Sequence, residues 1–285
     1  MSTISMPPPR IGRVALSVAD LERSVRFYED VIGLTILEHE GEMARLGAGD
    51  EGFLLLHGQP GARPVQRATG LYHFAILVPS RLDLARTLYH LMQNDAPISG
   101  FADHNVSEAI YLTDPDGHGI EIYRDRPRDE WEYRGGQLRM GSDPIDLQGI
   151  LNELIGQPSP PPEMDPGTFI GHVHLQVVNI PATEQFYTGP LGLDLVLRYG
   201  PRATFLSYNG YHHHLGGNTW AGENLAPAPE DAARLLWYEL VQPDEETVDV
   251  IAGQLREAGH AVEQGDKAYW VVDPSGIRVL LTGGG

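Results

Sequence analysis

The sequence contains no cysteine, which excludes a disulfide framework, a thiolate metal site and a cysteine nucleophile. It also has no apolar run near the ~18–20 residues that a membrane-spanning helix requires, so we expect no membrane partner. The opening segment MSTISMPPPR lacks the apolar core of a secretory signal. Together these absences predict a cytoplasmic protein.

Basic residues are scarce, because 20 Lys and Arg stand against 39 Asp and Glu, for a formal net charge of −19. Such an acidic protein repels phosphate backbones, so we expect no nucleic-acid partner. Histidine is abundant by comparison, with 12 residues. Any metal site in this chain must therefore be built from histidine, aspartate, glutamate and water.

An internal repeat of about 50 residues organises most of the chain. Each copy opens with a short strand pattern, continues into an amphipathic helix pattern, and ends with strand-like runs separated by turn residues. The four copies begin at Arg13, His73, His172 and Trp237. Each copy therefore predicts one βαβββ module.

The segment 126–168 interrupts the repeat. It is rich in proline, glycine and charge, with one short helical run, DLQGILNELIG. We interpret it as a linker between two halves, 10–125 with modules one and two, and 169–283 with modules three and four.

Four sequence stretches resemble a known family: GLYHFAILVPS, DPDGHGIEIYRDRPRDEW, IGHVHLQV and YHHHLGGNTW. They resemble the vicinal oxygen chelate superfamily of glyoxalases, bleomycin-resistance proteins and extradiol dioxygenases. Within it, they are most similar to the bacterial CatE-type catechol-2,3-dioxygenase group. The resemblance implies an α+β fold in which four βαβββ modules pair into two cupped, half-open barrels around a divalent metal.

The resemblance also implies where metal ligands lie, at the start of the first strand and in the middle of the fourth strand of a module. The first-strand positions are Arg13, His73, His172 and Trp237, and the fourth-strand positions are Leu55, Glu121, His213 and Leu280. Modules one and four therefore lack ligands, whereas modules two and three have them.

The preferred ligand set is His73, Glu121 and His172, because two histidines and one carboxylate form the facial triad of non-haem Fe(II) oxygenases. This set requires the modules to pair across the linker, two with three and one with four.

A rival set stays open within the second half of the chain. It consists of His172 or His174, with His213 and Glu239. It requires the sequential pairing of modules three and four.

The tract His212-His213-His214 supplies the candidate catalytic residues. If it is a strand, its side chains alternate between faces, so His213 or the other two point into the cup. An imidazole there suits acid–base catalysis on a phenol. The candidate substrate-binding residues are Tyr123, Tyr211, Tyr72, Phe205 and Trp220.

The favoured function is an extradiol ring-cleaving dioxygenase with Fe(II) as cofactor and an aromatic diol and O₂ as substrates. Mn(II), Ni(II) and Zn(II) are the alternative metals. Two other functions of the same fold stay open, a metal-dependent lyase or isomerase of the glyoxalase type and a metal-free small-molecule binding or resistance protein. Assembly into a homo-oligomer also stays open.

Overall fold

The four repeats fold as four βαβββ modules, as predicted, in the computed structural model, which describes residues 9–284. The opening segment was predicted not to be a secretory signal. Its residues 1–8 lie outside the described part of the chain. Module one consists of β1 Arg10–Val18, α1 Leu21–Arg26, β2 Thr35–Glu40, β3 Met43–Ala48 and β4 Glu51–Gly58. Module two consists of β5 Gly70–Leu77, α2 Arg81–Gln93, β6 Ile98–Asp103, β7 Ser107–Thr113 and β8 Gly119–Asp125.

The second half of the chain repeats this order of elements after the linker. The linker itself contains a 3₁₀ turn and short elements, namely Arg128–Glu130, β9 Tyr133–Arg134, β10 Gln137–Leu138 and α3 Leu147–Asn152. Module three consists of β11 Phe169–Gln176, α4 Ile180–Thr188, β12 Asp194–Arg198, β13 Ala203–Ser207 and β14 Leu215–Asn218. Module four consists of β15 Leu235–Gln242, α5 Glu245–Glu257, β16 Val262–Gln264, β17 Ala268–Val272 and β18 Arg278–Gly283.

Equivalent polar residues start the four module helices. The side chains of these N-cap residues accept a hydrogen bond from a backbone N–H three positions later, which satisfies a donor that the helix leaves unpaired. The four residues are Asp20, Ser80, Asn179 and Asp244. The first helix continues as a π-helical turn, Phe27–Ile32, and ends at Gly33, whose φ of 89° favours glycine.

Two eight-stranded sheets result, and each combines one module from either side of the linker. One sheet has the order β16-β17-β18-β15-β1-β4-β3-β2, and the other has the order β12-β13-β14-β11-β5-β8-β7-β6. Modules one and four therefore share a sheet, as do modules two and three, which confirms the predicted pairing across the linker. The sheets do not follow the sequence ranges 10–125 and 169–283, and the division into two domains stays a prediction.

The two central seams are antiparallel strand pairs, β1 with β15 and β5 with β11. Apolar side chains on one face of each sheet pack with the helices in a single core. Ile120 and Ile122 belong to that core, so Glu121 between them points to the opposite face of β8. The α+β architecture of paired, half-open barrels is thus as predicted.

The linker packs against modules one and two. The Met164 N–H donates to the carbonyl of Gly33, and the backbones of Asp103 and Asp143 form an isolated antiparallel bridge. The helical run predicted in the linker does form a helix, although this helix is only six residues long. Across residues 9–284 no helix is long and apolar enough to cross a bilayer. The cytoplasmic location stays a prediction.

Candidate metal centre

His73, Glu121 and His172 come together on three neighbouring strands, β5, β8 and β11. The Nε2 atom of His73 lies 3.0 Å from Oε2 of Glu121, and the Nε2 atom of His172 lies 3.3 Å from the same oxygen. One ligand atom from each side chain lies within 4.8 Å of the others, and all three side chains are buried. The strand order therefore assembles the preferred ligand set from both halves of the chain.

The ring nitrogens of this cluster have the properties of metal ligands. Within the described residues, Nε2 of His73 and both ring nitrogens of His172 are buried without a partner in hydrogen-bond geometry. A buried polar atom without a hydrogen-bond partner lowers the stability of the fold by about 1–3 kcal/mol, and a bound cation would offset this loss. Burial lowers the pKa of His172 to about 4 against the opposing effect of Glu121, so its imidazole is neutral at pH 7. Neutral imidazole is the form that binds metals.

The rival ligand set is not assembled, because its carboxylate lies in the other sheet. Glu239 is on β15, where its Oε2 accepts from Nε of Arg13 at 2.7 Å and its Oε1 accepts from Oγ1 of Thr282 at 2.9 Å. An arginine thus pairs with the acidic side chain in the sheet formed by modules one and four. The prediction that those two modules lack a metal site stays a prediction.

The three consecutive histidines do not form a strand, contrary to the expectation above. They follow a turn at Asn209 and Gly210, whose φ angles are 55° and 65°, and they end where β14 begins. The side chains of His212, His213 and His214 are all buried, so the simple alternation between faces does not apply.

The fourth-strand position of module three belongs to Gly216. Glu121 lies opposite Ala75 on β5, and the equivalent pair in module three is Gly216 opposite His174. The assignment of His213 to this position was therefore wrong by three residues. A Cβ atom on Gly216 would lie 2.8 Å from Cγ of His174, so no side chain fits there without a shift.

A hydrogen-bonded chain nevertheless connects the histidine tract to a carboxylate. Nε2 of His212 lies 2.8 Å from Oδ1 of Asp125, and Nδ1 of His212 lies 2.7 Å from Nδ1 of His213. If His212 donates its Nε2–H to the carboxylate, its Nδ1 accepts from His213. His213 then carries its proton on Nδ1 and keeps a lone pair on Nε2. Its ring lies 4.0 Å from the ring of His172, between centroids.

A cavity of about 380 Å³ adjoins the cluster and is lined by His73, Glu121 and His213. Three of the five predicted substrate-binding residues line it, namely Tyr72, Phe205 and Trp220. His174 also lines it, with its ring 5.0 Å from that of His73.

The other predicted residues lie behind the cavity wall. The hydroxyl groups of Tyr123 and Tyr211 are 2.8 Å apart and buried, and Tyr211 also donates to Asp125 at 3.2 Å. His212 is part of the chain described above, and Nδ1 of His214 accepts from the backbone N–H of Tyr208. These four side chains are placed to support the site rather than to touch a molecule in the cavity.

The sequence analysis missed several polar residues of the cavity, among them Tyr111 and His104. Tyr111 lies directly across from Glu121 in the β7–β8 hairpin. Nδ1 of His104 lies 2.6 Å from the carbonyl oxygen of Gly141, and its Nε2 lies 2.5 Å from the Tyr111 hydroxyl. His104 therefore donates to the linker and accepts from Tyr111. Burial, followed by the charge of Glu121, raises the pKa of Tyr111 well above 10, so it stays protonated.

Comparison with known proteins shows the family of the chain. Residues 10–122 match the Glyoxalase/Bleomycin resistance protein/Dioxygenase superfamily. Over 269 residues the chain is 42% identical to a protein named catechol-2,3-dioxygenase from Bacillus subtilis (strain 168), and the alignment covers 93% of each chain. The chain belongs to this superfamily. The predicted enzyme class, an oxidoreductase of the dioxygenase type, is confirmed by that relative.

More distant members of the superfamily share parts of the sequence or the fold. A protein named biphenyl-2,3-diol 1,2-dioxygenase 3 from Rhodococcus globerulus is 26% identical over 136 residues, which is 45% of this chain and 72% of that one. A solved structure described as a putative dioxygenase from Bacillus subtilis has a TM-score of 0.68 at 14% identity, covering 98% of this chain and 86% of that one. Glyoxalase I from Zea mays has a TM-score of 0.57 at 17% identity, covering 95% and 91%. At these identities the two solved structures establish the fold alone.

Proposed function

We propose that the protein is an extradiol ring-cleaving dioxygenase that acts on a catechol-type substrate with O₂ at a single Fe(II). One observation carries the proposal: His73, Glu121 and His172 converge within 4.8 Å beside a cavity. Two histidines and one carboxylate on one face of a metal are the ligand set of non-haem Fe(II) oxygenases. The same chemistry is named for the 42% identical relative.

The metal, when bound, supplies Lewis acidity and free coordination positions for two neighbouring substrate oxygens and O₂. His73 and His172 would hold it through Nε2, and Glu121 would hold it through a carboxylate oxygen. Fe(II) is the proposed ion, with Mn(II), Ni(II) and Zn(II) as the alternatives that the same donors accept.

His213 is the proposed acid–base residue. It lines the cavity, and its contact with His212 leaves Nε2 as an acceptor for a catechol proton. Burial, with a smaller contribution from the charge of His172, lowers its pKa well below 6.5, so it is neutral before it accepts that proton. Asp125, at the end of the chain through His212, would stabilise the positive charge that results.

The remaining cavity residues would position the ring. Tyr111 is protonated, and its hydroxyl is held by His104 at the edge of the metal cluster. Phe205 and Trp220 provide apolar surface for an aromatic ring. These contacts orient the diol and exclude water from it.

The ligand count separates this proposal from the two alternative functions. A glyoxalase-type lyase would draw on a second carboxylate, and Glu121 is the single carboxylate among the described residues that line the cavity. A metal-free binding protein would leave three buried ring nitrogens of His73 and His172 without a partner in hydrogen-bond geometry.

The test is anaerobic reconstitution with Fe(II), followed by catechol and O₂, with the yellow ring-fission product monitored by absorbance. We expect turnover with Fe(II) and much less with Zn(II) in the same protein. The variant Glu121→Gln should lose turnover, whereas Glu239→Gln, in the other sheet, should retain it. Iron-loaded protein that produces no ring-fission product from any catechol would refute the proposal.

A further inference from the structure

The cavity beside the metal cluster is larger than a single aromatic ring requires. Its volume is about 380 Å³, whereas a cavity of about 150 Å³ already accepts benzene. Besides the cluster, its walls include Phe101 on β6, Met140 in the linker and Phe205 on β13. The remaining space therefore suits a substituent on the ring, and these walls offer it apolar contact.

Three aromatic side chains of the cavity are exposed to solvent. Tyr72, Tyr199 and Trp220 line the cavity, with exposed fractions of 41%, 51% and 41%. The rings of Tyr72 and Trp220 pack edge to face, 5.2 Å apart between centroids. Exposed aromatic rings at the edge of a cavity are typical of surfaces that bind an apolar partner. A substituent that extends from the cavity would meet aromatic surface.

In the described part of the chain, no lysine or arginine of the cavity is available to an anionic substituent. Within residues 9–284 neither lysine nor arginine lines the cavity. The arginines of the adjoining segments are already paired: Arg139 binds Glu132 at 3.0 Å, and Arg202 binds the backbone carbonyls of Thr219 and Trp220, both at 2.8 Å. The net charge of −19 adds repulsion of anions at long range.

The polar groups on the cavity wall are also mostly engaged. The Ser99 hydroxyl donates to the backbone carbonyl of Tyr111 at 3.1 Å, and both nitrogens of His104 have partners. Nε2 of His174 lacks a hydrogen-bond partner, but the His174 ring lies against His73, beside the metal cluster. A carboxylate placed away from the cluster would therefore lose its water without gaining a partner, which is strongly unfavourable.

We propose that the substrate is a catechol carrying an uncharged, apolar substituent about the size of a second ring, and that the site rejects catechols with a carboxylate on that substituent. The proposal rests on the proposed ring-cleaving function and adds the class of substrate to it. The cavity volume, the exposed aromatic edge and the absence of a free cation in the described lining support it together.

The test compares three substrates with the Fe(II)-loaded protein: catechol itself, catechol with a methylbutyl chain, and catechol with a propanoate chain of the same shape. The methylbutyl compound should have a kcat/KM about tenfold or more above that of catechol, because several buried methylenes contribute. The propanoate compound should fall about 100-fold or more below the methylbutyl compound, because its carboxylate loses water against apolar walls and meets no lysine or arginine.

A pair of variants at Ser99 separates the effect of a positive charge in the cavity from the effect of a longer side chain. Ser99 is an exposed residue of β6 that lines the cavity, so either substitution is compatible with the fold. Ser99→Arg should raise kcat/KM for the propanoate compound about tenfold or more, as expected of a charge-assisted hydrogen bond. Ser99→Met, of similar length but uncharged, should not.

The outcomes separate this proposal from the proposed function. If none of the three compounds is cleaved, ring cleavage fails as the function, and dissociation constants measured anaerobically by tryptophan fluorescence still rank the compounds. The proposal is overturned if the propanoate compound is cleaved, or binds, as well as the methylbutyl compound. It is also overturned if Ser99→Met improves the propanoate compound as much as Ser99→Arg.

Discussion

His73 and His172 lie on adjacent antiparallel strands, β5 and β11, that come from opposite sides of the linker. Their rings are 5.6 Å apart between centroids, and their Nε2 atoms lie 3.0 and 3.3 Å from the same oxygen of Glu121. The seam that joins the two halves of the chain is therefore also the place where the proposed ligands converge. Neither half contains the complete set.

The segments 10–125 and 169–283 should not fold independently. Separation would remove the antiparallel partners of β1 and β5, and would expose two unpaired apolar edges in each fragment. We expect each fragment alone to aggregate or to lack a cooperative thermal transition by circular dichroism, and co-expression of both to restore one. A monomeric fragment with its own cooperative transition would contradict this expectation.

Loss of the His213 imidazole should slow the chemistry without removing the metal. His213 lines the cavity but is not one of the three clustered ligand residues. His213→Ala should lower kcat by about 10²–10⁴, the usual contribution of a general acid–base residue. Iron content per chain, measured on the same preparation, should equal that of the wild type. An unchanged kcat, or a parallel loss of iron, would argue against the assigned role.

Removal of the hydroxyl group from Tyr111 or from Tyr123 compares a side chain in the cavity with one behind its wall. Tyr111→Phe removes the hydroxyl held by His104 inside the cavity and should lower kcat/KM about tenfold, equivalent to ~1.4 kcal/mol. Tyr123→Phe removes a hydroxyl that bonds to Tyr211 behind the wall. It should lower the free energy of unfolding by about 1 kcal/mol and leave kcat/KM unchanged. The reverse pattern would show that the roles are exchanged.

Acid should destabilise the metal-free protein through its buried histidines. Burial lowers the pKa of His172 to about 4, whereas an unfolded histidine titrates near 6.5. Below pH 6.5 the unfolded chain therefore binds protons that the folded chain does not. Stability that is present above pH 6.5 is lost as the pH falls towards 4, by roughly 3 kcal/mol for this one residue.

Urea unfolding at pH 7.5 and pH 5 measures this effect. The wild type should lose more free energy of unfolding between these two pH values than His172→Gln, which has no imidazole to protonate. Equal losses in both proteins would show that His172 does not contribute.

Much of the fold and of the metal cluster could be predicted because the repeat preserves register. His73, His172 and Glu121 occupy matching positions in their modules, and the requirement that they meet predicted the pairing of modules across the linker. The position of Tyr111 could also have been predicted, since counting back across the DPDG turn places it opposite Glu121.

Other parts of the site depend on contacts that the repeat does not encode. The repeat predicts His213 in a strand because its spacing from the first strand is similar to that in the other modules, but the turn at Asn209 and Gly210 places it in a loop. The role of His104 depends on a carbonyl 37 residues away, at Gly141 in the linker. No local sequence pattern predicts a contact between residues so far apart in the chain.

The location of the bound metal tests the central claim most directly. Crystals of the Fe(II)-loaded protein, measured on both sides of the iron absorption edge, would show where the ion lies. We predict one strong anomalous peak per chain, within coordination distance of His73, His172 and Glu121. A peak elsewhere, or no peak in protein that cleaves catechol with iron present, would contradict the assignment of these three residues.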